Sequence, residues 1–212
     1  MSVLIHPVYL PNILTFAVIV QNRIVWEAHD NFQKQTYRNR CYISTDRGKH
    51  MLNIPIKHVG TSEGRQKYGE VKIDNSSHWQ KQHWRTLETA YRTSPYFEFY
   101  EDDLKHLYQE QEHLLFDFNL KTVEVIANCL GIKIDSEKTT TFTLSITDDT
   151  DARSLVEAKK TFPIEIEMTP YSQVFGERHS FIPNLSILDL LFNEGPNTIT
   201  YLKNQSLDFL HA

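Results

Sequence analysis

The chain has 212 residues, of which 40% are hydrophobic and 12% aromatic, and this composition predicts one substantial domain with a packed core. A formal net charge of −5 gives no electrostatic reason to bind DNA, and the longest apolar runs are too short for a membrane span. Two cysteines, Cys41 and Cys129, predict neither a disulfide framework nor a zinc site. Because the N-terminus lacks the basic segment of a signal peptide, we expect a cytoplasmic protein.

The first predicted strand ends in a rigid elbow. The apolar letters "VLI" are followed by "HPVYLPN", in which Pro7 restricts His6 to extended geometry and Pro11 disfavours helix at Leu10. Strand ends are where α/β proteins place their sites, so His6 and Tyr9 are candidate functional residues. The alternative is that both side chains simply pack in a proline-rich turn.

The next segments predict a parallel unit and a hairpin. Asn12 is a plausible N-cap for a buried helix over 13–20, and a second strand is predicted from Ile24 to Ala28. Strands separated by a helix are typical of a parallel βαβ unit. The segments "CYIST" and "HMLNIPIKH" around the turn "DRGK" then predict a hairpin.

The middle of the chain is predicted to be mainly helical. A short strand over 71–73 and a capping region at 75–77 precede a helix over 78–92. Between Phe99 and Gly131 the apolar residues recur at helical spacing, which predicts two core helices with Gly131 as the C-cap.

The last third mixes strands and helices. "TTTFTLSIT" predicts a strand, and the alternation in "FPIEIEMTPY" predicts another with one solvated face. A helix is predicted to begin at Ser186, to stop at 195–196 and to be followed by a short final helix. Asp189 is expected to accept hydrogen bonds from the first turn of that helix.

Together these elements predict a single mixed α/β domain over residues 1–212. We expect a central, partly parallel sheet of five or six strands flanked by helices, with the helices of 99–131 forming a subdomain.

The usual cofactor signatures are missing. The seven glycines are scattered, so neither a dinucleotide-binding turn nor a phosphate loop is predicted, and no cofactor is expected. The ten histidines lack metal-ligand spacing; His78 and His83, for example, are five residues apart and diverge on a helix. No metal site is predicted.

Several polar residues have both a functional and a structural interpretation. His83 shares a helical face with Trp79 and Leu87, which suits either proton transfer or a satisfied core histidine. Lys57 and His58 alternate at a strand end, so one points inward; an enclosed Lys57 would need an anionic partner, and otherwise its ammonium reaches solvent.

Two arginines precede a predicted strand. Arg38 and Arg40 bracket Asn39, and their planar donors suit a carboxylate or a phosphate. Exposed arginines at such places are also commonly solvated.

Four blocks of this sequence jointly resemble one family. The blocks are "HPVYLPN", "YRNRCYI", the pattern W…H…L…Y..SPYFEFY from Trp79, and F.PNLSILDLLFNEGP from Phe181. In this order they resemble the WbqC-like proteins, which are bacterial and are associated with gene clusters for O-antigen and other surface polysaccharides. Longer members carry a glycine-containing segment before the last block, whereas residues 148–163 here are short and lack glycine.

The resemblance implies a role in surface-polysaccharide (O-antigen) biosynthesis, with a glycine transferase activity suggested for the family. The partners would be a sugar or nucleotide-sugar and an activated aminoacyl donor, which could be macromolecular. An enzyme of this kind needs a base, donors for an oxyanion, and cations for an anionic group. By residue type we assign the base to His6 or His83, the donors to Tyr9, Asn39 and Tyr96, and the cations to Arg40 and Lys57.

Two hypotheses remain open. A transferase predicts that His6, Asn39, Arg40, Lys57 and His83 line one concave pocket. A non-catalytic carbohydrate- or partner-binding module of the same pathway predicts an aromatic-lined groove without a perturbed titratable pair.

Overall fold

The computed structural model describes residues 2–57, 66–144, 149–159, 164 and 166–211, and six short strands lie among them. The strands are β1 Ser2–Ile5, β2 Arg23–Trp26, β3 Arg40–Thr45, β4 Gly48–Asn53, β5 Ser136–Lys138 and β6 Thr150–Asp151. The helices are α1 Ile13–Gln21, α2 Trp79–Tyr91, α3 Phe97–Lys105, α4 Leu115–Cys129, α5 Gly176–His179, α6 Ile187–Glu194 and α7 Thr198–Asn204. The predicted mixed α/β class is confirmed.

The central sheet is parallel. Its strand order is β5-β2-β1-β6, and every neighbouring pair runs in the same direction. The chain passes from β1 through α1 to β2, so the predicted βαβ unit is confirmed, although β2 ends two residues before the expected Ala28. A sheet buried against helices explains why β1 reads as an uninterrupted apolar run.

The β3–β4 hairpin forms a separate two-stranded antiparallel sheet, as predicted. Gly48, the first residue of β4 after the turn, has φ +92°, a left-handed geometry that glycine adopts without the usual steric penalty. The expected single sheet of five or six strands is therefore wrong: the strands described are divided into a sheet of four and a sheet of two.

The elbow after β1 is joined to the N-terminus of α6. Asn12 caps α1 by accepting from the Thr15 N–H at 2.9 Å, and Ser186 caps α6 by accepting from the Leu188 N–H at 3.3 Å. The Ser186 hydroxyl also donates to the Leu10 carbonyl at 3.1 Å, with both residues fully buried. Leu10 has φ +42°, so the elbow holds a non-glycine residue in a strained backbone region.

The central helices follow the predicted periodicity. α2 agrees with the predicted helix over 78–92, and α3 and α4 occupy the predicted helical region. After α4, Gly131 at φ +64° forms a left-handed cap, and the Ile132 N–H donates to the Ala127 carbonyl at 3.0 Å. The capping region expected at 75–77 is wrong, because His78 precedes α2 without a side-chain cap and Asn75 instead accepts from the Trp79 indole at 3.1 Å.

Several strand predictions fail. Residues 71–73 make only isolated bridges, from Lys72 to Leu114 and from Ile73 to Ile56. The strand predicted in "TTTFTLSIT" is displaced: β5 comes just before it, residues 139–144 form no strand, and residues 145–147 lie outside the described residues. In "FPIEIEMTPY" the described residues are also irregular, and 162–163 and 165 lie outside them.

Asp189 does not cap α6. Its carboxylate accepts from the hydroxyls of Tyr91 at 2.7 Å and Tyr171 at 2.6 Å and from the Gln173 amide at 2.8 Å, and it is fully buried. The prediction was wrong because these donors come from distant segments, so they could not be found by local spacing. Burial raises the pKa of this carboxyl, although the three donors oppose the shift.

None of the helices in the described ranges is both long enough and apolar enough to cross a membrane.

Candidate functional site

The carboxyl ends of all four parallel strands bring polar side chains together. His6 follows β1, Glu27 follows β2, Thr139 follows β5, and Arg153 lies two residues after β6. Numbered by their order in the chain, the parallel strands are arranged third, second, first, fourth. Strands two and three are added on one side of β1 and strand four on the other, so the strand order reverses between β1 and β6. In open α/β sheets, ligands bind outside the carboxyl ends at such a point.

A buried trio forms the floor of this region. Nη2 of Arg38 lies 2.8 Å from Nε2 of His6 and 3.1 Å from Oδ2 of Asp30, which is itself 3.0 Å from the same His6 nitrogen. His6 is 3% exposed and Arg38 is fully buried, whereas one-fifth of the Asp30 side chain is exposed.

The protonation of His6 follows from its partners. A guanidinium can only donate, so Nε2 of His6 accepts from Arg38 when the ring is the neutral form protonated on Nδ1, an atom with no hydrogen-bond partner among the described residues. Burial lowers the pKa of His6 to about 4; the Asp30 carboxylate 3.0 Å from Nε2 opposes this shift, and the Arg38 charge adds to it. At neutral pH His6 is therefore uncharged and helps to hold Arg38 in place.

Two N–H-bearing nitrogens of Arg38 make no hydrogen bond among the described residues. Its Nε and Nη1 atoms are buried and have no hydrogen-bond partner among the described residues. Burial lowers the pKa of Arg38, but a guanidinium stays protonated, and its charge lies 5.2 Å from the centre of the Tyr68 ring. Unpaired buried donors on a fixed cation are typical of a group that binds a ligand oxygen.

Glu27 provides a buried carboxylate beside the trio. Oε1 accepts from the His29 N–H at 2.7 Å and from the Thr139 hydroxyl at 3.2 Å. Oε2 has no hydrogen bond among the described residues and lies 3.8 Å from Nη1 of Arg153. Arg153 in turn donates to the Asp151 carboxylate at 2.6 Å and is mostly buried.

A cleft of about 370 Å³, which we call the strand-end cleft, is lined by the trio together with Asp151 and Arg153. Among the described residues it is lined by three carboxylates and two guanidinium groups, from Asp30, Asp151, Glu157, Arg38 and Arg153. Its outer wall carries exposed apolar side chains from 142–144, and the Arg153 guanidinium lies 5.3 Å from the ring centre of Phe142. The excess of carboxylates disfavours a phosphate and favours hydroxyl groups or an amine.

His83 lies elsewhere, in an aromatic cluster. Its Nδ1 is 2.9 Å from the Tyr9 hydroxyl, which is also 2.9 Å from the hydroxyl of Tyr108, and its ring packs edge-on against Trp79. Burial lowers the pKa of His83 to about 4. His6 and His83 are thus separate, although His6 and Tyr9 share one elbow.

Asn39 and Arg40 line a different cleft of about 330 Å³, here named the hairpin cleft. Its walls include Phe32, Lys34, Asn39, Arg40, Pro55 and Ile56. The side-chain N–H groups of Asn39 donate to Oδ1 of Asn53 at 3.1 Å and to the Ile54 carbonyl at 3.0 Å. Segment 30–40 separates the two clefts, because its residues line both.

The two remaining predicted site residues join neither cleft. The side chain of Lys57 is exposed, while its backbone N–H donates to the Lys72 carbonyl at 2.8 Å; His58 lies outside the described residues. Tyr96 is half-buried with its ring against Gly195. The predicted residues are therefore distributed over several places, and of them the strand-end cleft contains His6.

Sequence reasoning missed Glu27, Asp30, Asp151 and Arg153. A signal for the first two was present: once β1 and β2 are predicted to be parallel, residues just after each strand must share one edge with His6. The other two could not be found in this way, because β6 is only two residues long and has no recognisable strand pattern.

In the described residues, no group of three or more histidine, cysteine, aspartate or glutamate side chains is arranged to hold a metal ion.

The chain belongs to the WbqC-like protein family, whose sequence profile matches residues 6–161 and 160–201. It is 28% identical over 229 aligned positions to a Mycobacterium tuberculosis (strain ATCC 25618 / H37Rv) protein described as "Uncharacterized protein Rv1507c". That alignment covers 88% of this chain and 96% of the mycobacterial protein. No solved structure matches significantly. The matched region contains the elbow, both clefts and α6.

Proposed function

We propose that the strand-end cleft binds a sugar used in surface-polysaccharide assembly and presents its amino or hydroxyl group for transfer of an aminoacyl group such as glycine. The observation that carries the proposal is the convergence of polar side chains at the carboxyl ends of four parallel strands. The pathway itself comes from the family resemblance, which is support by analogy.

The charges of the cleft suit these groups. Carboxylates accept hydrogen bonds from sugar hydroxyls or from an ammonium group, and both an amino sugar and a glycyl group carry an amine. The exposed ring of Phe142 offers an apolar face against which a sugar can pack.

The transfer step would use the trio and the neighbouring carboxylates. The sugar nitrogen or oxygen attacks the acyl carbonyl carbon and its proton passes to Asp30 or Asp151. The bond from the carbonyl carbon to the donor oxygen then breaks, and the departing oxygen takes the bond electrons and the proton from the carboxyl. The unpaired donors of Arg38 are suited to the oxygen that becomes negative. His6 is a positioning residue in this scheme, because its Nε2 accepts from Arg38.

The second candidate is a non-catalytic sugar-binding module of the same pathway. It is favoured by one observation: the pKa of Asp30 and the pKa of Asp151 are both lowered, with Arg153 hydrogen-bonded to Asp151, so both carboxylates are weak proton acceptors. Both candidates share the sugar-binding step and differ in the transfer.

Binding is tested by titrating the protein with D-glucosamine and, for comparison, with D-glucose, which lacks the amine. We expect glucosamine to bind more tightly than glucose. Asp30→Asn and Asp151→Asn should each lower the affinity for glucosamine by about tenfold, because each removes one charged hydrogen bond. Asp102→Asn removes an exposed carboxylate outside the cleft and is the matched control. Equal affinities in all four proteins would refute binding in this cleft.

Transfer is tested with labelled glycyl-tRNA and a nucleotide-linked amino sugar, with the product identified by mass. A glycylated sugar that disappears in Arg38→Lys supports the enzyme. Binding of the sugar without transfer from this donor or from glycyl-adenylate supports the module.

A further inference from the structure

The hairpin cleft has the opposite charge character from the strand-end cleft. Lys34 is exposed at its rim and Arg40 is half-buried in its wall, and no carboxylate occurs among its described lining residues. Neither cation forms an ion pair within the described parts of the chain. In a chain of net charge −5, two unpaired cations in one concave surface favour an anionic ligand.

Two buried polar atoms at the same place lack partners. Nε of Arg40 is a donor and Oδ1 of Asn39 is an acceptor, and neither has a hydrogen bond to the described residues. Asn39 is more than nine-tenths buried, and its N–H groups are fixed by Asn53 and Ile54, so its free oxygen is held in one orientation. A ligand that satisfies both atoms must combine an acceptor, such as a phosphate oxygen, with an N–H or O–H donor.

Apolar and aromatic side chains line another part of the cleft, which also contains Gln35 and Asn53. Phe32, Pro55 and Ile56 are half-buried and line it, so each presents part of its surface to the opening. A flat ring system packs well against such a wall. A cavity of about 330 Å³ lies at the lower end of the range of small-molecule sites.

We propose that the hairpin cleft binds a nucleoside phosphate. Its phosphates lie against Lys34 and Arg40, its base packs on Phe32, and a base N–H donates to Oδ1 of Asn39. This site is separate from the strand-end cleft and does not rest on the function proposed for it.

The test is calorimetric titration with uridine 5′-diphosphate, with inorganic pyrophosphate and uridine as its two component parts. We expect the diphosphate to bind with a Kd below about 1 mM and more tightly than either part, because each part satisfies only half of the cleft. Raising the salt concentration should weaken binding, since the contacts at the rim are ionic.

Three variants locate the site. Lys34→Gln, at an exposed position where folding is not at risk, should lower the affinity for the diphosphate by up to about fivefold. Arg40→Gln should lower it by about tenfold. Lys81→Gln removes an exposed cation from α2 and should change nothing. Asp151→Asn, in the strand-end cleft, should also leave this affinity unchanged, so that failure here is distinguished from failure of the proposed function.

Three results would overturn the proposal. One is the absence of binding at millimolar diphosphate in the folded protein. Another is equal affinity for pyrophosphate and the diphosphate, which would remove the base from the site. The third is wild-type affinity in both Lys34→Gln and Arg40→Gln, which would place the nucleotide elsewhere.

Discussion

The two buried histidines should make the protein sensitive to mild acid. Burial lowers the pKa of His6 and of His83 from 6.5 to about 4. When the pH falls below 6.5, the unfolded chain binds protons that the folded chain does not, so stability present above pH 6.5 is lost as the pH approaches 4.

The size of the effect follows from the shifts. A difference of about 2.5 pKa units corresponds to about 3 kcal/mol for each histidine when the loss is complete. Between pH 7 and pH 5 the same relation gives about 2 kcal/mol for each, or about 4 kcal/mol for both. This is a large part of the 5–15 kcal/mol that stabilises a typical domain.

The assay is urea unfolding at pH 7, 6 and 5, followed by tryptophan fluorescence. His6→Gln and His83→Gln keep a polar side chain but do not titrate. Between pH 7 and pH 5 each variant should therefore lose about 2 kcal/mol less of its free energy of unfolding than the wild type loses. His106→Gln alters an exposed histidine and should retain the wild-type pH dependence. If the two glutamine variants lose as much stability as the wild type over this interval, the argument from burial is refuted.

Three further predictions concern other positions. Gly195→Ala should destabilise the protein by about 2 kcal/mol or more in urea unfolding, because Gly195 has φ +53° and an added Cβ would lie 2.5 Å from the Tyr96 ring. Adding Tyr96→Ala should recover the part of this loss that is due to the steric clash. If the effects of the two substitutions are strictly additive, the contact is contradicted. Asp189→Asn replaces a buried acceptor of three hydrogen bonds and should lower the free energy of unfolding by about 2 kcal/mol. An unchanged midpoint would mean that the donors find other partners. Burial raises the pKa of both thiols, to about 11 for Cys129 and further for the fully buried Cys41. A thiol reagent should therefore modify Cys129 slowly in the folded protein and Cys41 only after unfolding. Rapid modification of Cys41 in the folded protein would show that its strand opens.

Local patterns predicted the elements whose reasons are local. Asn12 and Ser186 are both caps, as their side chains and the apolar runs after them indicated, and Gly131 ends α4 in the expected left-handed geometry. The parallel pairing of β1 and β2 also followed from a short helix between two apolar runs.

The failures have a common physical cause. β5 and β6 have three and two residues, so they owe their conformation to the strands beside them and not to their own sequence. Asp189 resembles an N-terminal helix carboxylate, yet its partners come from α2 and from a loop 16 to 18 residues earlier. In such cases tertiary contacts outweigh a local preference that the sequence displays clearly.

The same limit applies to the site. His6 was recognisable because prolines fix the chain around it, but its partners Asp30 and Arg38 lie 24 and 32 residues away. Asn39 and Arg40 were recognised by residue type alone, which could not reveal that they line a separate cleft.

The hydrogen bond from Ser186 to Leu10 has a consequence for the order of events during synthesis. The two residues are 176 positions apart, and this contact joins the strained elbow that carries His6 to the N-terminus of α6. At about 5 to 20 residues per second, a ribosome needs about 9 to 35 s to pass from one to the other. During that time the elbow has no α6 to hold it, and its apolar side chains are available to chaperones. We therefore expect fragments that stop before residue 184 to contain β1 and α1 but to lack an ordered strand-end cleft.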